Sequence, residues 1–263
     1  MKLLSTSLLT VSLGTTALAQ ESTQNLGAST SPSVLSRSDI VAVSPALARY
    51  GQDAVVGGLW ERPQLSRRDR SLVTAAILIA RGQTIDLGHY MTVALDNGVT
   101  PAELSETITH LAFYAGWSNA MSAVAIAKTV FADRGIEVGE LPAASPTLRP
   151  IDERAEATRQ DSVERLLGTS SPGLAEFTTD PLFVDVWLRP DLGLRDRSLV
   201  TITSLMANGQ VAQLPGHLNR AMDNGLTKEE AGEVVTQIAF YAGWPNAFSA
   251  GPVVRDVVES RSN

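Results

Sequence analysis

Apolar residues recur along this chain at helical spacing, and capping residues mark where each helical stretch begins. Ser66 stands three residues before Asp69, an S-x-x-D capping pattern, and Leu72, Val73, Ala76 and Ala80 then form one apolar stripe that Gly82 stops. A second helix is predicted from Leu87 to Asn97, closed by Gly98. Thr100, Pro101 and Glu103 supply a cap, a proline at the first helical position and a capping-box partner. Leu104, Ile108, Leu111, Ala112 and Ala115 follow at helical spacing, and a further helix runs from about Asn119 to Asp133, ending at Gly135. No stretch alternates apolar and polar residues over the length of a strand. The pattern predicts an all-α fold of antiparallel helices joined by short loops.

The same pattern then returns. LWERPQLSRRDRSLVT reappears as VWLRPDLGLRDRSLVT, and AFYAGWSNAMSA as AFYAGWPNAFSA. One offset without a gap aligns Trp60 with Trp187, Arg70 with Arg197, Thr100 with Thr227, Glu103 with Glu230 and Trp117 with Trp244. About half the positions between Trp60 and Ala123 are identical in the second copy. A repeat of this length is a duplicated domain, not a solenoid unit. The first copy is assigned to 46–138 and the second to 152–263, the latter opening with an extra helix from about Asp152 to Leu167. Between them, 139–151 carries Pro142, Pro146 and Pro150 and reads as a linker. Residues 20–45 are Ser/Thr-rich in their first part and read as a flexible leader.

Composition narrows the function classes. Nearly half of the 263 residues are apolar, enough for a sizeable core, and the net charge of −7 comes without a Lys/Arg cluster for nucleic acid. Lys2, the apolar run Leu3 to Leu13 and Ala17-Leu18-Ala19 form a signal peptide over 1–19, which predicts a secreted or periplasmic protein. No later stretch is long and apolar enough to span a membrane. There is no cysteine, which excludes thiol catalysis, thiolate metal sites and disulfide support. No HExxH, GxGxxG, GxSxG or P-loop pattern occurs.

The motifs WxRPxL and RxRSLVT, a histidine seven residues before an Asn-Gly pair, DNG-[VL]T and ExxxQxAxYAGxPxA resemble the carboxymuconolactone decarboxylase family. The second copy matches more closely, with Trp187, Arg189, Pro190, Arg195, Arg197, Ser198, His217, Asn224, Gly225, Glu233, Gln237, Tyr241 and Pro245. The first departs: Tyr90 stands in the place of His217, Ser118 in that of Pro245 and His110 in that of Gln237. Neither copy has the CxxC of the family's peroxidase-type relatives. The resemblance implies a cofactor-independent carboxy-lyase acting on a small carboxylated lactone. It also implies paired domains, here supplied by one chain as an internal pseudo-dimer, with three chains completing a homo-oligomeric ring. Two rivals remain: a non-catalytic binding protein that keeps the fold, and an isomerase or cyclase acting on a related enolisable acid.

Such a lyase needs a cation for the substrate carboxylate, a donor for the developing oxyanion and an acid that protonates carbon. No metal or organic cofactor is needed if the substrate is its own electron sink. Of the three histidines, His217 fits the family position and is the first candidate; His110 lies inside the repeat, and His89 aligns with Gly216 and is incidental. Arg70 and Arg197 sit in first helical turns, where a cation does not favour the helix dipole, so each answers to a carboxylate of either protein or substrate. Glu106, His110 and Tyr114, and in the second copy Glu233, Gln237 and Tyr241, run along one helix face. The assignment is therefore His217, Arg197, Glu233 and Tyr241 as catalytic, with Arg70, Tyr90, Glu106, His110, Tyr114 and Trp244 at substrate. Trp60 and Trp187 read as core or interface anchors.

Overall fold

The structure, a computed structural model, describes residues 35–262, and the signal segment and most of the leader fall outside the described residues. The described residues belong to one compact unit. The helices are α1 (Arg37–Val43), α2 (Pro45–Tyr50), α3 (Arg67–Ala80), α4 (Leu87–Asp96), α5 (Pro101–Ala115) and α6 (Trp117–Asp133), then α7 (Glu153–Leu167), α8 (Pro172–Phe177), α9 (Leu194–Ala207), α10 (Leu214–Asp223), α11 (Lys228–Tyr241) and α12 (Trp244–Ser262). No strand occurs among the described residues. The capping signals act as expected: Ser66 accepts from the Asp69 amide, and Thr100 and Thr227 form reciprocal capping boxes with Glu103 and Glu230. One expectation fails. The leader assigned to 20–45 is helical from Arg37, because Ser36 and Asp39 build a capping box of their own at the start of α1.

The two copies do not stand apart as beads. Helices α3 and α9 pack against each other at the centre, and every residue from Asp69 to Ala80 and from Asp196 to Ala207 is buried. A helix buried all round is a core helix shared by its neighbours. Accordingly α5 packs on α9 as well as α3, and α11 on α3 as well as α9. One apolar cluster runs through both copies, from Leu72, Ile77 and Leu104 to Leu199, Ile202 and Val234.

Polar contacts at the seam repeat with the two-fold pattern of the sequence. Arg68 reaches Asp196 at 2.8 Å and Glu103 at 2.6 Å, while Arg195 reaches Asp69 at 2.8 Å and Glu230 at 2.5 Å. Burial works against the charge of Arg195, yet Asp69 and Glu230 outweigh it and raise its pKa. At the other end Arg81 donates to the Ala207 carbonyl and Asn208 to that of Ala80. The proline-rich segment is docked, too. Arg149 donates to the carbonyls of Arg189, Pro190 and Leu192, and Arg189 donates back to Ala143 and Ala144.

Candidate functional site

Because α5 and α11 each cross to the other copy, every cluster of candidate residues is built from both halves of the chain. The cluster at His217 takes Trp187, Arg189, Arg197, Thr201 and His217 from the second copy and Glu106, His110 and Tyr114 from the first. Glu106 is its anchor. One oxygen accepts from Arg189 Nε at 2.8 Å and the other from Arg197 Nη2 at 2.5 Å. Arg197 is 0% exposed, and burial lowers its pKa against the pull of Glu106. The second cluster mirrors the first: Glu233 accepts from Arg62 at 2.8 Å and from Arg70 at 3.0 Å.

The two clusters diverge one helical turn on. In the second, Gln237 accepts from Arg70 Nη1 at 2.8 Å and donates to Thr74 at 2.7 Å, and Thr74 donates to the Arg70 carbonyl. In the first, His110 Nε2 lies 2.8 Å from Thr201 Oγ1, and Thr201 donates its only proton to the Arg197 carbonyl. Proton counting then fixes the tautomer: Nε2 must carry the hydrogen and donate to Thr201, leaving Nδ1 bare. Burial, with the nearby Arg197 and His217, holds the His110 pKa well below its ordinary value, so the ring is neutral. His110 thus occupies the place of Gln237 but keeps only the threonine bond, and its Nδ1 and the Arg197 Nε and Nη1 are left without partners.

Further along the same face, Trp187 Nε1 donates to Tyr114 Oη at 2.9 Å, and Trp60 Nε1 to Tyr241 Oη at 2.9 Å. Tyr241 also shares a proton with Tyr90 across 2.7 Å. Tyr114 has no such partner. His217 takes the place of Tyr90 and sets its ring edge-on to Tyr114, with centroids 5.3 Å apart, and stacks on Trp187 at 6.3 Å. Among the described residues the Tyr114 proton has no acceptor. Burial raises the pKa of Tyr90, Tyr114 and Tyr241, so all three phenols are protonated at neutral pH. Burial, and then the Arg220 charge, lowers His217 to about 4.

Three assignments change. His217 and Arg197 do not share a cluster with Glu233 and Tyr241, because α11 delivers that pair to Arg70 and Tyr90 in the other cluster; Glu106, His110 and Tyr114 are the partners of His217. Arg70 and Arg197 meet carboxylates of the protein and are sealed from solvent, which gives them an anchoring role. Trp244 is 52% exposed and its ring meets Phe240 rather than either cluster. Sequence reasoning passed over Thr74, Thr201 and Arg220. The threonines lie in the repeated RSLVT motif, a signal that was available; Arg220 replaces Val93 of the first copy, and only the fold shows where it points. Among the described residues no three His, Asp or Glu side chains converge to hold a metal ion.

The profile of the carboxymuconolactone decarboxylase family matches residues 45–129 and 172–256, one match per copy. A 4-carboxymuconolactone decarboxylase of Acinetobacter baylyi is 44% identical over 80 residues, covering 30% of this chain and 60% of the relative. The nitrosuccinic acid decarboxylase npaB of Metarhizium robertsii is 32% identical over 96 residues, covering 35% of this chain and 66% of the relative. The chain thus spans somewhat less than two thirds of either curated relative. A crystal structure assigned as a gamma-carboxymuconolactone decarboxylase subunit, from Burkholderia xenovorans LB400, has a similar fold, with a TM-score of 0.52 at 19% identity over 87% of this chain and 92% of that one.

Proposed function

The chain belongs to the carboxymuconolactone decarboxylase family, and from that premise we propose that it is a cofactor-independent carboxy-lyase acting on a small carboxylated lactone or related acid at the His217 cluster. The observation that carries this reading is the Tyr114–His217 pair: the two rings meet edge to face at 5.3 Å between centroids, and among the described residues the phenol proton has no acceptor and the imidazole no hydrogen bond. In the reaction the bond to the carboxylate breaks, its electron pair moves into the conjugated carbonyl, CO2 leaves, and carbon takes a proton in its place. The carbonyl oxygen gains charge in this step and needs donors placed in advance.

Magnitudes select the form of histidine that acts. With a pKa of about 4 the imidazolium is on the order of a thousandth of the population at pH 7. The neutral ring is therefore the working species, as in sites where a neutral imidazole polarises a carbonyl. Its N–H holds the developing oxyanion together with the Tyr114 hydroxyl. The same N–H then delivers the proton to carbon while the other ring nitrogen recovers one from solvent. The Tyr90–Tyr241 cluster has a second phenol where the other has His217, and His89, edge-on to Tyr90 at 5.0 Å, is exposed outside the phenol pair, so that cluster serves binding rather than turnover. With export by residues 1–19, the substrate pool is extracytoplasmic, and the acid acted on there can differ from those of the two decarboxylase relatives. Purified mature protein incubated with 4-carboxymuconolactone and followed for CO2 tests the activity. Release of one CO2 per lactone consumed is expected; saturable binding without release would overturn the lyase reading in favour of a binding protein.

A further inference from the structure

Beside the His217 cluster, two arginines present guanidinium edges that the protein does not use. Arg220, on α10, is half-buried and makes no hydrogen bond or ion pair among the described residues. It lies over the rings of Phe183 and Trp187, 5.0 and 5.1 Å from their centroids. Those rings are stacked on one another at 5.7 Å with planes 3° apart. Arg159, on α7, lies against Phe183 at 4.4 Å. It pairs with Glu156 through Nε and Nη2 and donates to Thr179, but its Nη1 is buried without a partner although the side chain is only 10% exposed. A buried guanidinium edge without an acceptor is costly, and a half-buried cation with none is unusual. A cavity of about 170 Å³, the size of a small acid rather than a cofactor, is lined by Phe183, Trp187 and Arg220 and also by Glu156 and Asp152. Glu156 is taken by Arg159 and Gln160, and Asp152 caps α7, so neither neutralises Arg220.

We propose that Arg220 and Arg159 form an anion subsite that receives a carboxylate of the substrate while its reacting end lies against Tyr114 and His217. The subsite rests on the lyase reading for its substrate but not for its existence. Trp187 lines this cavity beside Arg220, and it also donates to Tyr114 and stacks on His217, so the cavity adjoins both candidate proton donors; Arg159 reaches the same platform through Phe183. The stacked rings place the Arg220 guanidinium against an aromatic platform, and its fork suits a planar, two-oxygen partner. The subsite is also single. Val93 and Val56 stand where Arg220 and Phe183 would be in the first copy, so the Tyr90 cluster has no counterpart of this arginine or its platform. The chain thus pairs one carboxylate-selective site with one that lacks the selecting charge. Since Arg197 is sealed behind Glu106, Arg220 supplies the substrate-facing cation that the reaction needs.

Isothermal titration of the full mature chain with succinate, and with its neutral isostere succinamide, tests this without turnover. The wild type should bind succinate with one site per chain and leave succinamide unbound. Arg220→Val, which installs the first-copy residue at a half-exposed position, should weaken succinate at least 10-fold, and Arg220→Lys should recover only part of the loss because lysine lacks the planar fork. Arg159→Gln should weaken it further, with far-UV circular dichroism confirming the fold. Unchanged succinate binding in Arg220→Val, equal binding of succinamide, or no binding to the wild type would each overturn the proposal. A protein that binds succinate through Arg220 but releases no CO2 would keep the subsite and lose the lyase reading.

Discussion

Replacing Glu106 with glutamine should cost far more than the equivalent change at Glu233, although the sequence makes the two positions equal. Among the described residues Glu106 is the only anion that both Arg189 and Arg197 touch, and these side chains are 10% and 0% exposed. A glutamine keeps one acceptor oxygen and turns its NH2 toward the other guanidinium. Arg197 would then hold only the Arg189 carbonyl, since its Nε and Nη1 are already without partners. Removing one member of a buried ion pair costs about 3–5 kcal/mol. At Glu233 the same change is milder. Arg62 is 46% exposed and rehydrates, while Arg70 keeps Gln237 and the Arg62 carbonyl. A cost of about 1–3 kcal/mol is expected there, that of one buried hydrogen-bond partner. Urea denaturation followed by circular dichroism should show both losses as shifts of the midpoint, with the slope unchanged because the copies share one core. Equal shifts, a larger shift for Glu233→Gln, or a shift below about 1 kcal/mol for Glu106→Gln would refute the view that burial of Arg189 and Arg197 makes the two clamps unequal.

Other outcomes follow from the same contacts. His110→Gln should change stability by less than about 1 kcal/mol, because a glutamine there keeps the donor to Thr201 and offers its oxygen to the unpartnered Arg197 nitrogens, as Gln237 does with Thr74 and Arg70; a thermal melt that shows a large loss would contradict the tautomer assigned to His110. Acid should destabilise the protein through His217. Its folded pKa lies near 4 and its unfolded pKa near ~6.5, so the unfolded state binds more protons between these values and stability falls as pH drops through that window, by up to about 3 kcal/mol. His217→Gln should flatten that part of the stability–pH curve, and an unchanged curve would count against a buried neutral ring. We also expect three chains to associate, burying Trp117 and Met121 of α6 and Trp244 and Phe248 of α12, all exposed in the single chain; a monomer in light scattering at micromolar concentration would refute this.

Much of the fold was legible in the sequence because its signals are local. Ser66, Thr100 and Thr227 each cap the helix that their spacing to Asp69, Glu103 and Glu230 predicts. The capping box at Ser36 and Asp39 is as local, and was masked by the Ser/Thr-rich composition around it. The sites were less legible, since they depend on which helix crosses to which copy. Spacing alone put Glu233 and Tyr241 on one face of one helix, and that is true, but α11 turns the face toward Arg70 and not toward Arg197. The role of Arg197 was open between a protein and a substrate carboxylate until the fold placed Glu106 against it. Arg220 carried no motif, and its lack of a hydrogen-bond or ion-pair partner among the described residues is a property of the folded chain alone.

The central claim is that catalysis resides in the His217 cluster assembled from both copies, and initial rates of CO2 release from 4-carboxymuconolactone by single variants address it most directly. His217→Gln should lower turnover by on the order of 10²-fold, the usual contribution of a positioned proton-transfer group. Tyr90→Phe should leave the rate within a few-fold of wild type, since Tyr90 belongs to the cluster that pairs phenol with phenol. Full activity in His217→Gln together with its loss in Tyr90→Phe would contradict the account.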